Sequence, residues 1–196
     1  QFYGTGEKAT MPKPDRFDYT FITADTAQKE GELNDFSVLC YWGIYRNRIY
    51  FIDGVRGKWD APKLETAFKA FVNQCWKRNK ECGVLRKIYV EDKASGTGLI
   101  QACKKAFPID ITPVQRDKDK VTRCMDAQPV IKNGYVVLPE KHHMLAEFLA
   151  EAAAFTYDDS HPNDDIMDNL FDAVNIELNL ADDPVSRMKK LAGLKK

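Results

Sequence analysis

The 196-residue sequence predicts an α/β domain whose central sheet contains antiparallel and parallel strands and is flanked by helices. Three apolar runs with β-branched residues follow one another closely near the start, as expected for an antiparallel meander. Farther along, strand-like and helical runs alternate, as expected for parallel strands joined by helices. With 44% hydrophobic residues, the chain can form one sizeable core and is short for two.

The first half of the chain predicts the meander, one helix and a further strand. A helix begins near Pro62, because proline suits a first helical turn and Asp60 can cap it. A later apolar run predicts a central strand that ends at Glu91. The three meander runs lie at 17–24, 36–45 and 49–52, with a tight polar break at 46–48.

The second half predicts helices that cover the sheet, with short strands between them. The predicted elements are a helix at 98–107, a strand at 109–114, a charged helix at 118–127, a hairpin at 130–138 that turns on 132–134, a helix at 144–155 and a last helix that starts after Asn163.

The organisation of the chain indicates one domain over residues 17–178 between two less regular segments. Residues 1–16 are rich in Gly, Pro and Lys and predict a linker that follows another domain. Residues 179–196 form a Lys-rich tail, which we expect to be flexible or to bind a partner.

Composition limits the function classes. The 29 Lys and Arg residues balance the 29 Asp and Glu residues, so any contact with nucleic acid must come from local basic patches. The five cysteines show no spacing typical of a zinc site, which indicates a reducing compartment. Neither a signal segment nor a membrane-spanning run is evident in the sequence, which predicts a soluble, intracellular protein.

Two acidic residues stand at the ends of predicted strands. Asp25 closes the first strand, and Glu91 closes a later one. The alternative interpretations are a turn aspartate and a surface glutamate. Glutamate is a poor turn former, so its place after a central strand is unusual, although a surface glutamate is an equally good interpretation.

A third acidic segment opens the last helix. Acids in a first turn suit the helix dipole, which is a sufficient explanation for Asp164 and Asp165. It does not explain Asp168 and Asp172, because like charges at three- and four-residue spacing repel each other. Asp165, Asp168 and Asp172 share one helix face, where a bound cation would relieve the repulsion.

Together the three segments offer the hard oxygen ligands that Mg²⁺ and Mn²⁺ prefer. Two such ions, about 4 Å apart, activate a water and stabilise the leaving oxygen in phosphodiester hydrolysis. Basic residues near these acids could hold a DNA backbone, although a solvated surface is an equally good interpretation. They are Lys93, Lys118, Lys120 and Arg123.

The sequence resembles the C-terminal nuclease domain of bacteriophage terminase large subunits. The similarity extends over nearly the whole chain to Leu178, and the order of its marks is more specific than any one of them. These marks are Asp25, the segment 90–96 with Leu99, the run 120–123, Pro129, Gly134, Val136, Pro139 and the segment 164–168.

The resemblance implies an RNase H-like fold related to resolvases and integrases, and a set of metal ligands. The implied ligands, which are also the catalytic residues, are Asp25, Glu91, one or both of Asp164 and Asp165, and Asp168 as a further ligand. The family usually has a histidine directly before the paired aspartates, whereas two residues separate His161 from Asp164 here.

The resemblance also implies a function: metal-dependent cleavage of concatemeric double-stranded viral DNA during genome packaging, in the cytoplasm of the host cell. The implied partners are an ATPase domain in the same chain, a small terminase subunit and the portal of the procapsid. The sequence contains no phosphate-binding loop of its own. The alternatives are a Holliday-junction resolvase, a docking module without catalysis and, least favoured, a sugar-kinase-like fold.

Overall fold

A mixed seven-stranded sheet forms the centre of the computed structural model, which describes residues 1–26, 36–156 and 164–178. The strand order is β1-β7-β4-β3-β2-β5-β6. The predicted α/β class with a mixed sheet is therefore confirmed. The strands are β1 Phe2–Tyr3, β2 Tyr19–Asp25, β3 Ser37–Tyr45, β4 Arg48–Gly57, β5 Leu85–Glu91, β6 Asp110–Val114 and β7 Val136–Pro139; the helices are α1 Ala61–Lys77, α2 Asn79–Cys82, α3 Ala94–Cys103, α4 Lys120–Lys132, α5 Leu145–Ala154 and α6 Asp165–Glu177.

The predicted meander is present, because β2 pairs antiparallel with β3 and β3 pairs antiparallel with β4. Arg46 and Asn47 form the tight turn between β3 and β4, with φ angles of 48° and 60°. Positive φ at both central residues matches the twist of the flanking strands. Nearly all residues of β2 and β3 are buried, because helices cover both faces of the sheet.

Parallel pairing brings two predicted site residues together. β5 pairs parallel with β2, and Ala24 lies opposite Val90 in the register. Parallel strands end at the same edge of a sheet, so Asp25 and Glu91, the next residues along, both lie at this edge. β6 extends the sheet beyond β5 in the same direction.

The two faces of the sheet carry separate cores. Helices α1 and α3 cover one face, and α4, α5 and α6 cover the other. The Asp60 side chain caps α1 as predicted, because its Oδ1 accepts a hydrogen bond from the Lys63 backbone N–H at 3.0 Å. The buried residues of α1 lie at helical spacing: Leu64, Phe68, Phe71, Val72 and Cys75.

The predicted hairpin at 130–138 is wrong. Helix α4 continues through Pro129 to Lys132, and β7 then pairs parallel with β4. Proline removes one hydrogen bond from a helix interior. Burial of Ala127 and Val130 in the core against α6 outweighs that loss, which the local pattern could not indicate. Helix α3 lies at 94–103 rather than at 98–107.

The first residues of the chain pack onto the sheet, although their composition predicts a linker over 1–16. Strand β1 pairs parallel with β7, and Tyr3 is buried and donates its hydroxyl hydrogen bond to the Phe51 carbonyl at 2.9 Å. The Gly6 N–H donates to Glu140 Oε2 at 2.7 Å. A preceding ATPase domain stays a prediction. His161 and the tail at 179–196 lie outside the described residues. Within the described part, none of the helices combines the length and apolarity that crossing a bilayer requires.

Candidate metal centre

Asp25 and Glu91 lie side by side at the edge where β2 and β5 end. Both are buried, with 8% and 2% of their surface exposed. Helix α3 begins against this edge, where a Cβ on Gly96 would lie 1.8 Å from the Glu91 carbonyl oxygen. Only glycine allows so close an approach. Gly96, one of the marks of the family resemblance, therefore lets α3 pack against the backbone of Glu91.

Helix α6 brings two further acids to the same place. It packs on β2 and β3, and the Asn169 side-chain amide donates to the Val38 carbonyl at 3.3 Å. Asp168 and Asp172 are both buried, one helical turn apart. Asp25, Glu91, Asp168 and Asp172 form what we call the acidic cluster.

The guanidinium of Arg116 lies among all four acids. Its Nη1 contacts Glu91 Oε1 at 2.7 Å and Asp168 Oδ2 at 3.1 Å. Its Nη2 contacts Asp25 Oδ2 at 3.1 Å and Asp172 Oδ2 at 2.8 Å. Arg116 belongs to the segment 115–119 between β6 and α4. One cationic group therefore bridges acids from two strands and a helix.

Two other cations contact the acidic cluster from its sides. Arg123 of α4 is buried, and its Nη2 contacts Asp168 Oδ1 at 2.7 Å. Its Nη1 contacts Asp172 Oδ1 at 3.3 Å. Lys93 contacts Glu91 Oε1 at 2.7 Å, and its side chain is 68% exposed. Four carboxylates thus face three cations, and only Lys93 among these cations lies largely in solvent.

The electrostatics of the cluster favour an added cation. Burial raises the pKa of Asp25 to about 7, because the opposing charge of Arg116 only partly offsets burial and the repulsion from Glu91. Burial also raises the pKa of Asp168. Glu91 Oε2 is buried and has no hydrogen-bond partner among the described residues. This set of hard oxygens with one unpartnered atom suits a divalent metal ion.

Asp164 and Asp165 lie beside the cluster, each in contact with a cation of its own. Asp165 Oδ2 contacts Arg56 Nη2 at 3.1 Å, and Asp164 forms an ion pair with Lys120. Burial and, after it, the charge of Asp25 together raise the pKa of Asp165 to about 6. The charges of the acidic cluster therefore affect Asp165, although Asp165 does not contact Arg116.

The four residues predicted to bind DNA all contact acids. Besides the pairs already described, Lys118 Nζ contacts Asp126 Oδ2 at 2.6 Å, with 59% of its side chain exposed. Lys118 also precedes α4 rather than lying on it. The guanidinium of Arg123 is directed at the α6 acids, so Arg123 would have to leave them to reach a DNA backbone. Lys93 and Lys118 are the more exposed candidates.

Arg116 was not predicted as a site residue, and Asp172 was not predicted as a ligand. Asp172 was recognisable, since its helical spacing places it on the face of Asp168. Arg116 gave no comparable signal, because it lies in a short charged segment, 115–119, without periodicity.

A second group of possible metal ligands consists of Asp53, His142 and His143, whose ligand atoms lie within 4.8 Å of one another. The Met144 N–H donates to His142 Nδ1 at 3.1 Å, which leaves the ring proton on Nε2. Nε2 then donates to Asp53 Oδ1 at 3.1 Å. Asp53 also contacts Arg78 at 3.1 Å. Hydrogen bonding accounts for this group without a metal, because the nitrogen that faces Asp53 carries a proton.

Comparison with known proteins gives a family and a set of similar folds. The sequence model of the family described as "Terminase RNaseH-like domain" matches residues 22–177. The matched range contains all of the predicted ligands. No curated protein sequence matches the chain significantly.

Solved structures with similar folds include nuclease domains and large terminases of viruses. The Mn-soaked, inhibitor-bound nuclease domain of the human cytomegalovirus terminase has a TM-score of 0.63 and 12% identity, over 88% of this chain and 86% of that one. The zinc-bound large terminase nuclease of the thermophilic phage G20c has a TM-score of 0.55 and 16% identity, over 81% and 84%. The large terminase of another thermophilic bacteriophage has a TM-score of 0.60 and 12% identity, over 85% of this chain and 40% of that chain.

Proposed function

Because the chain belongs to the terminase RNase H-like domain family, we propose that it is a metal-dependent endonuclease that cuts concatemeric double-stranded viral DNA during genome packaging. The observation that carries this proposal is the acidic cluster, in which β2, β5 and α6 each bring buried carboxylates to one place. Buried carboxylates from separate elements are unfavourable unless a cation compensates them. A nuclease that uses metal ions has a reason to keep such a cluster.

The metal ligands in this proposal are Asp25, Glu91 and Asp168, with Asp172 beside them and Asp164 and Asp165 as further candidates. Two Mg²⁺ or Mn²⁺ ions would supply an activated water and would stabilise the leaving oxygen of the phosphodiester. The carboxylates themselves need no nucleophilic role. The unpartnered Oε2 of Glu91 and the raised pKa of Asp25 support this ligand set.

The remaining residues of the site would position the ligands and the DNA. Arg123 holds the two α6 acids in place from α4. Lys93 and Lys118 are exposed enough to contact phosphates, which positions a duplex without reading its sequence. We therefore expect cleavage with little sequence preference, directed by the packaging machinery.

The partners follow from the same proposal. The structural similarity covers only 40% of the length of the large terminase that has a TM-score of 0.60. That large terminase has also been solved in complex with ADP. We propose that an ATPase domain accompanies this domain in one protein, and that the small terminase subunit and the portal are its other partners. The host cytoplasm is then the place of action.

Plasmid cleavage tests the proposal directly. Supercoiled plasmid is incubated with the protein and Mn²⁺, Mg²⁺ or EDTA, beside the variants Asp25→Asn and Glu91→Gln. The matched control is Asp60→Asn, which removes an acid outside the cluster and keeps a good helix cap. We expect metal-dependent cutting by the wild type and the control, and loss of cutting in both cluster variants.

Other outcomes would favour the alternatives. Preference for branched over linear duplex would indicate a junction resolvase. A folded protein that neither cuts DNA nor binds Mn²⁺ would contradict the nuclease proposal and favour a docking module. Equal cutting by wild type, Asp25→Asn and Glu91→Gln would contradict the ligand assignment.

A further inference from the structure

The guanidinium of Arg116 lies where the proposed metal ions need the acidic cluster. We propose that Arg116 competes with the divalent metal for these carboxylates, so that metal binding requires its side chain to withdraw and Arg116 limits the metal affinity of the site. This inference rests on the proposed function. It adds a residue that determines when the site can hold metal.

Arg116 contacts the same side chains that a metal ion would need. Arg116 uses Asp25 Oδ2, Glu91 Oε1 and Asp168 Oδ2, one oxygen from each of the three proposed ligands. A metal shared by these side chains requires oxygen atoms from the same three groups. A guanidinium at hydrogen-bond distance would also repel an incoming divalent cation.

The charges of the acidic cluster also favour exchange of Arg116 for a metal ion. Arg116, Arg123 and Lys93 together offset three of the four carboxylate charges in the cluster. Arg116 contributes one positive charge, whereas a divalent ion contributes two. Exchange of Arg116 for one metal ion therefore completes the neutralisation of the four acids. While Arg116 is in place, the negative charges of the four acids are compensated well enough for the protein to fold. A metal ion in its place would compensate them more fully.

The backbone around Arg116 also differs from that around Arg123. Arg116 lies in the segment 115–119, whose other members, Gln115, Asp117, Lys118 and Asp119, are all exposed. Rotation of the Arg116 side chain would therefore disturb no helix or strand. Arg123 differs, because it lies inside α4 and its carbonyl accepts a hydrogen bond from the Asn175 side chain at 3.0 Å. The two side chains are similarly buried, at 8% and 10% exposed, so the difference between them lies in the backbone, which is irregular at Arg116 and helical at Arg123.

The test measures Mn²⁺ binding to the protein without DNA. The electron paramagnetic resonance signal of free Mn²⁺ reports how much of the ion remains unbound. Arg116→Met removes the charge and keeps an apolar stem. We expect it to bind Mn²⁺ at least about tenfold more tightly than the wild type, because a neighbouring positive charge has gone. The matched control is Lys118→Met, which removes the same charge from the exposed part of the same segment and should leave Mn²⁺ affinity unchanged.

The outcomes separate this inference from the proposed function. Equal or weaker Mn²⁺ binding by folded Arg116→Met, with clear binding by the wild type, would overturn the competition alone. Absence of Mn²⁺ binding in both proteins would overturn the proposed metal site as well. Tightening by the same factor in Lys118→Met would reduce the effect to general charge and would also overturn the inference.

A second measurement uses the wild type, in case Arg116→Met folds poorly. The side-chain Nε–H resonance of Arg116, assigned by comparison with Arg116→Lys, is followed by NMR in EDTA and at saturating Mg²⁺. We expect slow exchange with water in EDTA, while the carboxylates hold the guanidinium, and fast exchange with Mg²⁺. An unchanged, protected resonance at saturating Mg²⁺ would overturn the proposal.

Discussion

Helices α1 and α6 cover opposite faces of the same sheet, yet they bury different chemistry. α1 buries only apolar residues and one cysteine. α6 buries an apolar stripe and, in addition, Asp168, Asn169 and Asp172. Apolar burial by itself stabilises a fold, whereas buried acids reduce its stability unless other groups compensate them. The difference indicates that α1 contributes only apolar packing, whereas α6 also contributes two carboxylates to the acidic cluster.

Polar side chains from other elements contact both ends of α6. At its first turn, Glu151 of α5 accepts a hydrogen bond from the Ile166 N–H at 2.9 Å and contacts Arg56 at 3.0 Å. At its last turn, the carboxylate of Glu177 accepts hydrogen bonds from the Tyr19 and Tyr89 hydroxyls, both at 2.7 Å. Polar groups from other elements therefore hold both ends of the helix that delivers the acids.

The largest expected effect is on the α1 side. Phe68→Ala removes a fully buried ring from the core under α1 and should lower the free energy of unfolding by about 3 to 5 kcal/mol. Urea unfolding measures this, with Phe68→Leu as the milder control. The Mn²⁺ affinity of the folded fraction should not change. A loss under about 1 kcal/mol would contradict the role of α1 as the stabilising helix.

A loss of stability of comparable size is expected on the α6 side, and its size should depend on whether metal is bound. Arg123→Met leaves Asp168 and Asp172 with one fewer buried cation and should destabilise the metal-free protein by about 3 kcal/mol. Thermal or urea unfolding in EDTA and in Mg²⁺ measures the effect, and Mg²⁺ should recover part of the loss. Lys118→Met, at an exposed pair, should change stability by less than about 1 kcal/mol. Equal losses with and without Mg²⁺ would separate Arg123 from the metal site.

An effect of similar size should appear in the pH dependence of stability without metal. Asp25 has a folded-state pKa raised to about 7 from an ordinary value of 3.8, so the folded protein holds this proton more tightly than the unfolded chain. Its contribution therefore favours folding at low pH and is lost as pH rises from about 4 through 7, by up to about 1 kcal/mol per pH unit.

Asp25→Asn removes that titration. Relative to wild type, the variant should gain stability as pH rises from 4 to 8, measured by urea unfolding in EDTA. Asp126→Asn, at the exposed pair with Lys118, serves as the control and should follow the wild-type curve. A pH-independent difference between Asp25→Asn and wild type would contradict the raised pKa of Asp25.

The smallest effect should come from the last turn of α6. Glu177→Gln keeps one oxygen acceptor for the two tyrosine hydroxyls and loses the charge, so we expect a loss of about 1 kcal/mol. Tyr89→Phe, which removes one of the two hydrogen bonds, should have an effect of the same order. No change in either variant would mean that apolar packing alone positions α6.

Local patterns predicted much of this fold because the relevant signals lie close together in the sequence. The Asp60 cap and the Arg46 turn are determined by a few neighbouring residues, and the strand ends at Asp25 and Glu91 follow from apolar runs. The extension of α4 through Pro129 could not be predicted in the same way, since it depends on burial against a distant helix.

The residues of the candidate site also differ in whether local patterns could predict them. The sequence indicated Asp25, Glu91 and Asp168, because each lies at a strand end or on a recognisable helix face. It did not distinguish the acids that enter the cluster from Asp164 and Asp165, which contact other cations. Arg116 was missed because only the tertiary fold brings its segment over the ends of β2 and β5.

The most direct test of the proposed metal site is the anomalous scattering of Mn²⁺ in a soaked crystal of the protein. We expect Mn²⁺ to be coordinated by Asp25, Glu91 and Asp168, with the Arg116 guanidinium turned out of the acidic cluster. Mn²⁺ bound elsewhere, for example at Asp53 and His142, while Arg116 still contacts all four carboxylates, would contradict this expectation.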